Sequence, residues 1–108
     1  MTLKETATQY FETFSRKDLD GLAVMFTDDV VLRDWERSAE GKVDMLAVNK
    51  AIFDAVDTII VTPLALYEDS NTVTAEIEVL VNGDTKLLVV DVITFIGDKI
   101  SSLRAYKG

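Results

Sequence analysis

Asp91 is a carboxyl group set in the middle of an apolar run, Leu87-Leu88-Val89-Val90-Asp91-Val92-Ile93-Thr94-Phe95. On the alternation of a strand, its face also carries Leu87, Val89, Ile93 and Phe95. An ionised, unpartnered carboxylate buried there would cost several kcal/mol, so the acid is expected to keep its proton near neutral pH. A neutral carboxylic acid donates a hydrogen bond, and donors fixed in an apolar cavity stabilise an oxyanion as it forms. The competing reading is a structural aspartate, bonded to backbone or to an arginine across the sheet.

Two further residues could share that chemistry. Tyr10 falls on the apolar side of an N-terminal helix, where a phenol is either plain core or a second donor. Asp34 ends the segment Val30-Val31-Leu32-Arg33-Asp34-Trp35. Alternation groups it with Val30 and Leu32, so if Leu32 points inward Asp34 does too. Otherwise it is a strand-end aspartate facing solvent or capping the next loop.

The chain has no histidine and no cysteine. Imidazole bases, thiolate nucleophiles, disulfides and the usual zinc ligands are therefore excluded. Proton transfer falls to carboxylates, tyrosines or a lysine. A formal net charge of −8 with scattered lysines and arginines argues against nucleic acid and against anionic membrane surfaces as partners. The longest apolar stretch, Ile59 to Leu66, is broken by Thr62 and Pro63 and is too short for a bilayer. The N-terminus lacks the charged-then-apolar order of a signal peptide, which makes a cytoplasmic setting the expectation.

At 108 residues, 48% of them hydrophobic, the whole chain 1–108 reads as one packed domain. Thr2 and Glu5 form a capping-box pattern, and Leu3, Ala7, Tyr10, Phe11 and Phe14 follow at helical spacing, which predicts a helix over Thr2–Ser15. Asp18 is a suitable N-cap for a short second helix with Leu19, Leu22, Ala23 and Phe26 on its apolar side. Val30–Trp35 reads as a strand, Glu36–Glu40 as a charged loop, and Val43–Val56 as a third helix. The inner face of that helix would hold Met45, Val48, Asn49, Ile52, Phe53 and Val56, with Asn49 as its odd polar member. From Asp57 the period becomes that of strands: Thr58–Tyr67, Thr72–Val81, Thr85–Phe95 and Lys99–Tyr106. Asn82-Gly83 marks a tight hairpin because both central residues must take positive φ.

Helices followed by an antiparallel meander make an α+β domain, a bent sheet wrapped around the helices. Strand 85–95 is apolar on both faces, so its outer face needs cover, and a homodimer through the sheet would supply it.

With these residues in view, the chain resembles the ketosteroid isomerase and SnoaL-like branch of the NTF2-like superfamily. The resemblance is carried by Tyr10-Phe11-Glu12-Thr13-Phe14-Ser15-Arg16-Lys17-Asp18-Leu19-Asp20, Met25-Phe26-Thr27-Asp28-Asp29-Val30-Val31-Leu32-Arg33-Asp34, Val90-Asp91-Val92-Ile93-Thr94-Phe95 and the closing Lys99–Tyr106. It implies the cone-shaped, cystatin-like fold. It also implies a catalytic set in which Tyr10 and a protonated Asp91 hold the substrate oxygen while Asp34 acts as base, an arrangement known in ketosteroid isomerases. The residues expected to bind substrate are Phe26, Trp35, Asn49, Phe53, Val79 and Phe95.

The resemblance thus implies a cofactor-independent isomerase, needing no metal, that acts on a small, mostly apolar carbonyl compound through a dienolate. The alternatives are a non-catalytic small-molecule-binding module and a SnoaL-like polyketide cyclase, because the fold alone does not fix the chemistry. Trp35 stands where familiar isomerases have proline, and Asn49 and Phe26 stand where they often have tyrosine. These departures bear on a steroid-sized substrate more than on proton transfer. Scytalone-dehydratase-like chemistry is disfavoured by the lack of histidine. A limonene-epoxide-hydrolase-like site needs an Asp-Arg-Asp set, and alternation turns Arg33 to the face opposite Asp34.

Overall fold

A computed structural model describes all 108 residues. Helix α1 (Leu3–Ser15) begins at the capping box: Thr2 accepts from Glu5 N at 3.1 Å, and Thr2 N donates to Glu5 Oε1 at 2.9 Å. It buries Ala7, Tyr10 and Phe11, as the spacing predicts. Asp18 caps α2 (Leu19–Met25) by accepting from Gly21 N at 2.9 Å. Phe26 does not extend α2. Its backbone is already extended, and it opens β1 (Phe26–Arg33).

The stretch expected to be a loop contains a short strand, β2 (Ser38–Glu40), which folds back antiparallel onto β1 and buries Ala39. Three residues are too few to display a period, so nothing in the local pattern marks it. Helix α3 (Lys42–Ala55) buries Met45, Asn49 and Phe53 on one stripe. Strands β3 (Ile59–Asp69), β4 (Thr72–Val81), β5 (Thr85–Ile96) and β6 (Lys99–Lys107) complete a six-stranded sheet in the order β2-β1-β6-β5-β4-β3. Every pairing is antiparallel except β1 with β6, which is parallel. Those two strands are distant in sequence, so no hairpin dictates their relative direction. Asn82 and Gly83 both take positive φ at the β4–β5 turn, and three residues rather than two separate the paired Val81 and Thr85.

The sheet's inner face meets the helices. Val73, Ala75, Ile77, Val89, Ile93, Phe95, Ile100 and Leu103 are buried against Phe11, Leu22, Met45 and Phe53. Lys17 ties the helical layer together: its ammonium donates to the carbonyls of Phe53 (2.9 Å), Val56 (2.6 Å) and Asp57 (3.0 Å), which the end of α3 would otherwise leave open. On the outer face Tyr67, Leu88 and Tyr106 are more than half exposed. No helix is long and apolar enough to cross a membrane.

Candidate active site

Asp91 comes from the centre of β5, where it pairs with Ala75 on β4 and Ala105 on β6. Ala105 ends at Cβ and lines the cavity beside Asp91, so the sheet on that side leaves open space that a longer side chain would fill. That space belongs to a cavity of about 220 Å³. Its walls are aliphatic and aromatic: Phe11, Phe14 and Met45 from the helices, Leu32 from β1, and Ile77, Val79, Leu87, Val89 and Leu103 from the sheet. Four lining residues carry charge or an amide, namely Asp34, Arg37, Asn49 and Asp91, and Tyr10 adds its phenol.

Tyr10 is 6% exposed and Asp91 8%. Neither the phenol nor the carboxyl is bonded to any protein group, so both are left to a guest. Burial and, to a lesser extent, the nearby negative charge of Asp34 together push the Asp91 carboxyl up to about 7. Burial, reinforced by Asp91, likewise pushes the Tyr10 phenol above its usual range. At neutral pH the phenol keeps its proton and a large share of Asp91 keeps its own, so the pair can donate two hydrogen bonds.

Asp34 sits just past β1, half-buried at the cavity wall. Its Oδ1 accepts from Glu36 N at 2.7 Å and Arg37 N at 2.5 Å, while its own N–H donates to Arg37 O at 2.9 Å. The residue thus does what a turn-forming aspartate does and also faces the cavity. One oxygen is committed to the loop, which fixes the carboxylate in place, and Oδ2 remains for a proton.

The sequence expectation and the structure separate at the aromatics. Trp35, Asn49 and Val79 line the cavity with Tyr10, Asp34 and Asp91. Phe26, Phe53 and Phe95 do not. Phe26 is fully buried behind Tyr10, ring centroids 6.2 Å apart, and Phe53 supports Phe14 edge-on at 4.9 Å. Phe95 lies four residues beyond Asp91 on the same face, about 13 Å along the strand, buried in the core and outside the cavity lining. Arg37 is the residue that sequence reasoning missed. Arg33 is exposed, as alternation requires, but the Asp34 turn carries Arg37 back to the cavity wall. The only local signal was the Asp34-x-x-Arg37 spacing of a turn closed by an aspartate.

Similar arrangements of helices and curved sheet occur in solved structures. A candidate ketosteroid isomerase from Kribbella flavida superposes with a TM-score of 0.86 at 18% identity, over 98% of this chain and 77% of that one. A candidate polyketide cyclase from Sinorhizobium meliloti gives 0.84 at 22% identity, over 94% and 93%. An LEH-like epoxide hydrolase from M. tuberculosis gives 0.84 at 15% identity, over 96% and 80%. At such identities the likeness concerns the fold, and three different activities share it. No curated protein matches the chain. The model of the SnoaL-like domain, by contrast, matches residues 7–103, which run from the turn of α1 that carries Tyr10 through β5 and Asp91 into β6. The chain belongs to the SnoaL-like domain family of the NTF2-like superfamily.

Proposed function

We propose that the protein is a cofactor-independent isomerase that moves a double bond in a small, mostly apolar carbonyl compound by proton transfer. The observation that supports this most is a pair of buried donors, Tyr10 and Asp91, with no protein partner, in the same apolar cavity as the ionisable Asp34. Asp34 Oδ2 removes a proton from the carbon α to the carbonyl, and the electrons pass to the oxygen to give a dienolate. Tyr10 and neutral Asp91 hold that oxygen by two hydrogen bonds, which strengthen as its charge grows. Asp34 then returns the proton to the γ carbon, and the enone is conjugated. Atoms and charge balance within substrate and protein.

Cavity size narrows the substrate. Ligand sites commonly enclose roughly 300–1,000 Å³, and 220 Å³ is smaller than that range. It corresponds to about seven waters at ~30 Å³ each, which suits a one- or two-ring compound better than a steroid. The test is conversion of cyclohex-3-enone to its conjugated isomer, followed by ultraviolet absorbance, in wild type and Asp34→Asn. Turnover by the wild type that Asp34→Asn loses supports the proposal. Background rates in both, with a bound ligand, leave a binding module instead. The proposed protein is a homodimer through the outer sheet face that exposes Leu88 and Tyr106, which sedimentation equilibrium checks.

Arg37 favours a second reading. With Asp34 and Asp91 it completes an Asp-Arg-Asp set around the cavity. In an epoxide opening, neutral Asp91 would give its proton to the epoxide oxygen while Asp34 takes one from attacking water. A diol product from cyclohexene oxide distinguishes this chemistry from isomerisation.

A further inference from the structure

We propose that Asn49 is a specificity determinant that selects a hydroxyl-bearing substrate. The proposal rests on the isomerase reading and sharpens it from a carbonyl compound to a ring-hydroxylated enone. Asn49 is one turn from Met45 and from Phe53 on the buried stripe of α3, a position whose neighbours are apolar. It is 2% exposed, and its Oδ1 is sealed from solvent with no hydrogen-bond donor anywhere in the protein. Only one other buried side-chain atom is orphaned in this way, the hydroxyl oxygen of Thr27, and Thr27 does not line the cavity. Asn49 does.

An orphaned buried amide oxygen destabilises a fold, so a residue that only packs would be expected to be leucine or methionine here. What the cavity offers at its two kinds of polar group is complementary. Tyr10 and Asp91 present donors and therefore grip an acceptor, the carbonyl oxygen. Asn49 holds an unfilled acceptor that is sealed as the side chain stands, so a donor on the guest fills it only as the amide turns. Its terminal torsion is broad and soft, so a ligand in the cavity can turn the amide to meet it. A hydroxyl is the donor that a small, otherwise apolar enone can carry at least loss of fit.

The experiment measures binding, so it does not depend on turnover. Cyclohex-2-enone and its ring-hydroxylated isomers are titrated by ligand-observed NMR into wild type, Asp34→Asn and Asn49→Leu. At least one hydroxylated isomer should bind wild type and Asp34→Asn about 10-fold or more tighter than the parent enone. Asn49→Leu should lose that preference, the hydroxylated isomers binding it no tighter than the parent does, and should melt at the same or a higher temperature because the orphan is gone. Asn49→Ala repeats the comparison should the leucine variant fail to fold. Equal affinity for parent and every hydroxylated isomer in wild type overturns the proposal. So does a preference that survives in both Asn49 variants, or a failure of every hydroxylated isomer to bind. Absent turnover with an intact, Asn49-dependent preference would sink only the isomerase reading.

Discussion

Asp91 and Ala105 face each other across the β5–β6 ladder, so the acid's neighbour in the sheet stops at a methyl group. Ala105 lines the cavity together with Asp91, so this short side chain keeps space open beside the carboxyl. Replacing Ala105 by leucine puts three more carbons into that space. Ligand affinity should fall 10-fold or more, while stability should hold or improve, since the added side chain occupies a void and need not displace packed atoms. Phenol titration and a thermal melt on the same sample check both halves.

Asp91 should also shape stability against pH. Its carboxyl titrates near 3.8 in the unfolded chain and near 7 in the native cavity. Below the lower value both states are protonated and burial carries no ionisation penalty. Between the two, the unfolded chain gives up a proton that the native state keeps, so stability falls as pH rises; above the upper value this effect is flat. The loss attributable to this residue is roughly 4 kcal/mol. Asp91→Asn should remove that slope and be the more stable protein at pH 8, as urea unfolding across pH 4 to 8 would show.

At Asp34 the two roles can be separated by choice of substitution. Asparagine keeps Oδ1 for the N–H groups of Glu36 and Arg37 but has no basic oxygen. Asp34→Asn should therefore fold as wild type and lose about 10²–10⁴ in kcat. Asp34→Ala should lose the same activity and a further ~1 kcal/mol of stability as the loop turn is released. Steady-state kinetics and denaturant melts on the two variants give the comparison.

Lys17 offers a control at a residue that does not line the cavity. Replacing it by methionine keeps the aliphatic stem but leaves three carbonyls at the end of α3 without their charged donor. The fold should lose about 2 kcal/mol, and kcat per folded molecule should be unchanged.

Much of this architecture is written locally. The Thr2–Glu5 box, the Asp18 cap and the Asn82-Gly83 turn act through neighbours a few residues away, and each appears where the sequence points. Asp91 was legible because it violates its strand's apolar pattern, and a violation needs no tertiary knowledge to be seen. Phe26, Phe53 and Phe95 were not sortable in that way. A two-residue or helical period says which face a side chain takes, not how deep along the cone it lies, and Asp91 and Phe95 share a face with opposite fates. Arg37 and β2 were hidden for a related reason: both depend on the chain reversing at Asp34, and that reversal is set by where β1 ends.

The most direct test labels the carboxyl carbons of aspartate with carbon-13 and follows Asp91, assigned by loss of its signal in Asp91→Asn, through a pH titration. A midpoint near 7, moving lower in Asp34→Asn as the neighbouring charge is removed, is the expected result. A midpoint near 4 would mean an ionised, hydrated acid at neutral pH, unable to donate to an enolate, and would contradict the proposed chemistry.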